Sequence, residues 1–270
     1  MIEKFLKKSL LAVGLCFFAA IVILAQNPAD PETLEKILVA LASRADSFEK
    51  SLPDFIATET ILQESYQNPS GKLLESSEII SRLTGRQLEL TKKGRTQLDF
   101  QEYRQVQSIN GKTVKSDKFK PRGPQVDGVF SSILVSHFAS RDQKDFSFDL
   151  DANLQTLRGR NTYLLKFTSK IVNQQYYFFE GKRLASEQVG QAWIDTETLV
   201  PLRIEYQEKK LPKGLESLSY AVDYAYVTLG EDSFLLPLEA SSEFVEKKFT
   251  SRVNQKYSDY KKFSTDVKLE

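Results

Sequence analysis

The chain has 270 residues but one cysteine (Cys16), one histidine (His137), one tryptophan (Trp193) and one methionine (Met1). Each scarcity closes a class of function. A Ser-His-Asp triad or a Cys-His pair would have to be assembled around His137, because there is no second imidazole and no second thiol. Zinc takes three or four His, Cys or carboxylate ligands at recognisable spacing, and no such cluster is written here. There is no G-x-x-x-x-G-K-[ST], no G-x-G-x-x-G and no G-x-S-x-G elbow, and the acids of Asp142 to Asp151 lack the alternation and closing Glu of a calcium loop. The expectation is therefore a protein with no catalytic cluster, no metal and no cofactor.

Charge of one sign is also missing. Lys and Arg number 37 against 36 Asp and Glu, a formal net charge of +1. A nucleic-acid partner would call for a clustered basic excess, so none is expected. Long apolar runs are confined to the first 25 residues. Lys4, Lys7 and Lys8 precede the uncharged stretch Ser9 to Ala25, and Ala25 offers a small residue for cleavage, which is the grammar of an export signal. Retention as an N-terminal anchor is the alternative, and the only membrane contact the sequence suggests. Leu15 before Cys16 lacks the small side chain that lipid attachment requires. Residues 1–25 are thus read as a signal peptide and residues 26–270 as one exported domain, periplasmic or envelope-associated. Without disulfides, its core alone must hold it, which is feasible at this length.

Two helices and many strands follow. Asp30, Pro31 and Glu32 open a helix as N-cap, first-turn proline and first-turn acid. Leu34, Ile37, Leu38, Leu41, Ala45, Phe48 and Leu52 then repeat at helical spacing until Pro53. From Phe55 the pattern turns β-rich. Strands are expected over Phe55–Tyr66, Arg86–Thr91, Leu98–Ile109, Tyr163–Val172, Gln175–Phe179, Gln191–Asp195, Val200–Tyr206, Tyr220–Leu229, Ser233–Val245 and Arg252–Tyr260. Asn110-Gly111, Glu180-Gly181-Lys182 and Gly230-Glu231-Asp232 supply tight turns, so consecutive strands pair antiparallel. Val129 to Phe138 interrupts them with apolar residues at helical spacing, after an irregular Lys120 to Pro124. The bulky-small alternation of Tyr220 to Leu229 gives a strand two unequal faces. The fold class expected is α+β: a strongly curved antiparallel sheet, an incomplete β-barrel, covered by an N-terminal and a middle helix.

One stretch imitates an active site. Gly190–Tyr206, GQAWIDTETLVPLRIEY, sets Asp195 and Glu197 beside Trp193, and a glycosidase needs two carboxylates across a cleft. The flanking residues alternate as two strands, so the acids fall in a hairpin turn that Asp195 starts by bonding backbone N–H groups two residues on. His137, in the apolar middle helix, reads as structural or surface rather than as a base. Trp193 either stacks across the hairpin on Arg203 or faces a cavity.

The same hairpin, with Leu157 to Phe167 before it and Val222-Asp-Tyr224, Phe234-Leu-Leu-Pro237 and Tyr257 to Phe263 after it, resembles the segment order of the exported bacterial outer-membrane lipoprotein carriers and the periplasmic sigma-factor regulators related to them. The resemblance covers about residues 150 to 268. It implies a half-barrel whose concave side holds acyl chains or hydrophobic peptide segments. The expectation that follows is a non-enzymatic binding protein for a lipid, an acyl chain or a lipoprotein-like apolar partner, with Trp193, Tyr220, Tyr224, Tyr226, Phe130 and Phe138 as contacts. An envelope sensor or interaction module without a ligand pocket is the alternative, and a hydrolase using Asp195 and Glu197 a third.

Overall fold

The computed structural model describes residues 30–92, 95–114, 130, 132–170, 176–179 and 182–263. The signal segment, Cys16, the Lys120 to Pro124 stretch and the Glu180-Gly181 turn lie outside the described residues. Helix α1 spans Pro31–Ser51. Ile37, Leu41, Ala45, Phe48 and Leu52 of the anticipated stripe are buried, with Leu34 and Leu38 at its edge. Asp30 sits at the N-cap in extended geometry without a side-chain capping bond, and Leu34 N–H donates to its carbonyl instead. Pro53 follows the last turn and cannot extend it.

Strands β1 (Phe55–Gln67), β2 (Lys72–Lys92), β3 (Arg95–Ile109) and β4 (Lys112–Thr113) come next, then helix α2 (Ser132–Phe138) and a 3-10 turn at Gln143–Asp145. They are followed by β5 (Phe146–Leu150), β6 (Gln155–Leu157), β7 (Arg160–Ser169), β8 (Tyr176–Phe179) and β9 (Lys182–Ala185). The chain closes with β10 (Gln188–Asp195), β11 (Pro201–Glu208), β12 (Leu215–Leu229), β13 (Asp232–Glu246) and β14 (Phe249–Lys262). Twelve strands make one antiparallel sheet in the order β4-β3-β2-β1-β14-β13-β12-β11-β10-β7-β5, with β6 beside β7, and β8 pairs with β9 separately. The sheet is open. Its two halves are joined by β1 against β14, the first long strand against the last.

Strand β2 is longer than the Arg86–Thr91 expected of it, because Lys72 to Gly85 is rich in Ser and Glu and lacks apolar alternation. Pairing on both sides, with β1 and β3, makes it a strand all the same. Asn110 and Gly111 take the positive φ, 48° and 73°, that the β3–β4 turn demands.

Both helices lie on one face of the sheet. Ala57, Leu83, Leu165, Ile194, Ile204, Val222, Tyr224 and Tyr257 meet Ile37, Leu41, Phe130, Leu134 and Phe138 in a single cluster. Two glycines permit this packing. A Cβ at Gly85 would stand 2.5 Å from Phe100 and 2.8 Å from Phe55, and one at Gly190 would stand 2.4 Å from both the Glu205 carbonyl and the Phe167 ring. Neither strand could approach so closely with a side chain in place.

Candidate functional site

Antiparallel pairing sorts the central strands into rows. One row runs Phe148, Phe167, Gly190, Tyr206, Tyr220, Ser242 and Val253 from β5 to β14, and points to the helices. The row before it runs Asp149, Lys166, Gln191, Glu205, Ala221, Ser241 and Asn254 and, by the two-residue period of a strand, points the other way. The protein thus offers two candidate sites, one on each face.

The helix-covered face is an aromatic basin with α2 as its plug. Phe130, just before α2, lies 5.2 Å from Phe55 and 5.1 Å from Tyr257 by ring centroids. At the other end, Phe138 meets Phe167 at 5.8 Å and Phe148 at 6.1 Å. Phe130, Ile133, Leu134 and Phe138 are all buried. Seven residues make a helix too short to hold itself, so burial must hold it.

Charged groups lie beneath the plug. Glu59 shares the inward parity of Phe55, Ala57 and Ile61 and is fully buried. Arg104 donates from Nε to both its oxygens, at 3.0 and 2.9 Å, and from Nη2 to Glu102 at 2.9 Å. Glu102 also accepts the backbone N–H of Phe130, so one carboxylate ties Arg104 to the plug. Burial pushes the Glu102 carboxyl above its ordinary range, against the opposing pull of Arg104.

His137 anchors the C-terminal end of α2. It is 1 % exposed, with the rings of Phe167 and Tyr206 4.9 and 4.8 Å away. Nδ1 lies 2.7 Å from the Ile133 carbonyl, and Nε2 lies 2.9 Å from the side-chain amide of Gln188. Gln188 in turn reaches Glu208 at 2.9 Å, and Ser186 donates to both Glu208 oxygens at 2.9 and 2.7 Å. The carbonyl requires a proton on Nδ1. The chain of bonds is then complete in two ways: an imidazolium with a carboxylate, or a neutral imidazole with the Gln188 amide turned over and Glu208 protonated. Burial lowers the His137 imidazole and raises the Glu208 carboxyl, so it favours the second. His137 is thus buried in the core with both ring nitrogens bonded.

The hairpin that imitates an active site is accounted for by its turn. Asp195 Oδ1 accepts N–H from Glu197 at 3.1 Å and from Thr198 at 2.8 Å, and the Thr198 hydroxyl at 2.8 Å. Arg160 donates to both its oxygens. The Arg160 bond, opposed by burial and aided by the turn N–H groups, holds the Asp195 carboxyl well below the usual range. A carboxylate so fully occupied is a poor proton donor or base. The Glu197 side chain is 81 % exposed. Trp193 pairs directly with Arg203 across the hairpin, with the guanidinium 5.8 Å from the ring and the indole N–H donated to Gln155 at 2.9 Å.

On the outer face, opposite the helices, lies a trough of about 830 Å³. Its floor is the backbone around Gly190, Tyr206 and Tyr220, and its walls are the outward side chains of the rows on either side. It exists because the outward residues of β12 and β13 are small at mid-sheet, Ser219, Ala221 and Ser241, while long side chains stand on both flanks. Those flanks are charged but paired. Arg203 bonds Glu205 at 3.2 Å and Asp223 at 2.6 Å, Arg252 bonds Glu243 at 2.5 Å, and Lys166 bonds Asp151 at 2.8 Å.

The six anticipated contact residues do not share one site. Phe130, Phe138 and Tyr224 are fully buried under the helices. Tyr220 is half-buried, stacked 5.1 Å from Tyr206, and borders the trough. Trp193 is on the outer face, and Tyr226 is 47 % exposed, past Tyr224, where the burial alternation of β12 changes parity. Sequence reading missed the Glu59–Arg104–Glu102 cluster, although an acid at the inward parity of Phe55-x-Ala57-x-Glu59-x-Ile61 is a legible sign of a buried charge. Among the described residues, no group of three or more His, Cys, Asp or Glu side chains comes together as a metal site, and no helix is long and apolar enough to cross a membrane.

No family model and no curated protein matches the chain. Solved structures similar to it include an outer membrane lipoprotein-sorting protein domain from Vibrio parahaemolyticus, at 16 % identity over 87 % of this chain and 95 % of that one, TM-score 0.40. A DUF1329 family protein from Desulfovibrio piger has 14 % identity over 90 % and 95 %, TM-score 0.37. A LolA superfamily protein from Nitrosomonas europaea has 12 % identity over 86 % and 96 %, TM-score 0.37.

Proposed function

We propose that this is an exported, periplasmic or envelope-associated binding protein, not an enzyme, that holds a lipid, acyl chain or apolar peptide segment in its half-barrel during lipid or lipoprotein handling. The ligand occupies the volume that Phe130, Ile133, Leu134 and Phe138 fill here, and Tyr224 and Tyr220 contact it from the sheet. The observation that carries this reading is the plug itself. A helix of seven residues, with Phe130 just before it, inserts four large apolar side chains into an aromatic basin. Such a helix is held by burial rather than by its own hydrogen bonds, so a ligand offering equal apolar area can replace it. The Tyr224 hydroxyl, buried in the basin without a hydrogen-bond partner among the described residues, is a donor that a ligand carbonyl would satisfy.

The burial of those four side chains in the basin also favours the second reading, an envelope sensor or interaction module with no ligand pocket. Expressing the full chain, extracting what co-purifies and identifying it by mass spectrometry separates the two. Bound lipid, together with displacement of a fluorescent fatty acid that Phe138→Trp weakens, supports the first. Lipid-free protein that leaves the probe unbound in both forms removes it.

A further inference from the structure

We propose that the outer-face trough is a second binding site, one for a neutral oligosaccharide strand. It is independent of whatever the basin holds, because the sheet separates the two. Charge excludes most other occupants. Arg203, Arg252 and Lys166 face the trough, each with a carboxylate partner within the hydrogen-bond distances given above, and against them the lining sets Glu205, Glu243 and Asp149, so its formal charges cancel. An anionic or cationic ligand would have to break those pairs and finds no net field to repay it.

The middle of the trough is neutral. Gln207, Ser219, Ser241 and Asn254 line the trough on four successive strands, β11 to β14. Gln207 pairs directly with Ser219 in the register and Ser241 with Asn254, and the two pairs are offset by two residues along the strands. The result is a diagonal of amide and hydroxyl groups, each able both to donate and to accept, as sugar hydroxyls require. Beside the diagonal, Val189 and Ala221 offer small apolar patches of the kind the C–H face of a pyranose ring packs against.

Spacing points the same way. Within each pair the two groups stand one strand spacing apart, ~4.8 Å, whereas same-side groups of an extended peptide recur about every 6.7 Å. A chain of linked pyranose rings has a monomer repeat close to the strand spacing, and a peptide does not. The volume, about 830 Å³, lies within the range of small-ligand sites and takes several rings in a row.

The test is titration calorimetry, with saturation-transfer NMR, of protein purified after expression of the full chain, using chitotetraose, cellotetraose and maltotetraose as probes. At least one binds. Ser241→Trp, which fills the trough, abolishes that binding, and Gln207→Ala and Asn254→Ala each weaken it by about threefold to tenfold, the worth of one hydrogen bond. A melting curve of Ser241→Trp matching the parent establishes that the variant is folded; if it is not, the two alanine variants carry the test. Absence of binding by all three sugars, binding that survives Ser241→Trp, or preferential binding of a mixed-charge extended peptide each overturns the proposal. Because the basin is not touched, co-purifying lipid is unaffected by any of these variants.

Discussion

The two faces of strands β10 to β14 share one backbone and differ in almost everything else. Toward the helices, Ala192, Ile194, Ile204, Val222, Tyr224 and Ala240 are sealed from water, and two of the polar residues admitted among them, Gln188 and Glu208, are bound to one another. One residue along, the outward row is Gln191, Trp193, Arg203, Glu205, Asp223 and Ser241, with its charges paired at the surface. The lesson is that polarity alone does not assign a role on this sheet. Buried polar groups keep a plug in place, while exposed ones leave space between them. On the inner face a lost partner strands a charge in the core; on the outer face water replaces it.

The largest effect that contrast predicts is at Arg104. Arg104→Ala leaves Glu59, fully buried, without its cation and frees Glu102 from the arrangement that holds the Phe130 N–H. Breaking a buried pair on one side costs about 3–5 kcal/mol. Urea unfolding followed by circular dichroism measures it, and Arg104→Met combined with Glu59→Leu recovers most of the loss. A single-variant cost below about 1 kcal/mol, the value of a surface pair, would erase the distinction between the faces.

Much of this architecture was legible in the sequence. The α1 stripe, the Asn110-Gly111 turn, the paired strands around Asp195 and the open antiparallel sheet follow from spacing, because local period and turn chemistry determine them. The turn role of Asp195 was readable for the same reason: its partners are two and three residues away. The site was less legible. Aromatic residues of β12 were expected to share one lining, but past the register shift against β13 the burial alternation changes parity, so Tyr224 stays inward with Val222 while Tyr226 lies at the surface. A bulge depends on the partner strand, which a single segment does not encode. The Glu59–Arg104 pair joins residues 45 positions apart, and the trough joins strands from β5 to β14; both exist only once the sheet is assembled.

A pH-dependent effect sharpens the contrast from within the core. Glu208 is raised by burial, so the folded chain keeps a proton that the unfolded chain has released above its ordinary carboxylate range near 4.5. Stability from this group is therefore present below that range and lost as pH rises through the folded value. His137 acts oppositely: lowered by burial, it costs stability as pH falls below the ordinary imidazole range near 6.5, where only the unfolded chain takes up the proton. Glu208→Gln removes the first dependence and leaves the second. The melting temperature of Glu208→Gln, relative to the parent, should climb between about pH 5 and pH 8 in differential scanning calorimetry. A constant difference across that interval would mean that Glu208 is not the group holding the proton.

The smallest effect belongs to the outer face, at Trp193 and Arg203. Their side chains meet directly across the hairpin, yet each has another partner: Gln155 for the indole N–H, and Glu205 and Asp223 for the guanidinium. With water at hand, removing either leaves no buried group stranded. A double-mutant cycle of Trp193→Leu and Arg203→Gln should give a coupling of about 0.5–1 kcal/mol, the worth of an exposed cation–π contact. It should also leave the pH dependence of stability unchanged, since neither side chain touches the His137–Gln188–Glu208 chain. A coupling above about 2 kcal/mol would mean that the Trp193–Arg203 contact is desolvated, and the outer face would then be a second packed layer rather than the open wall of a trough.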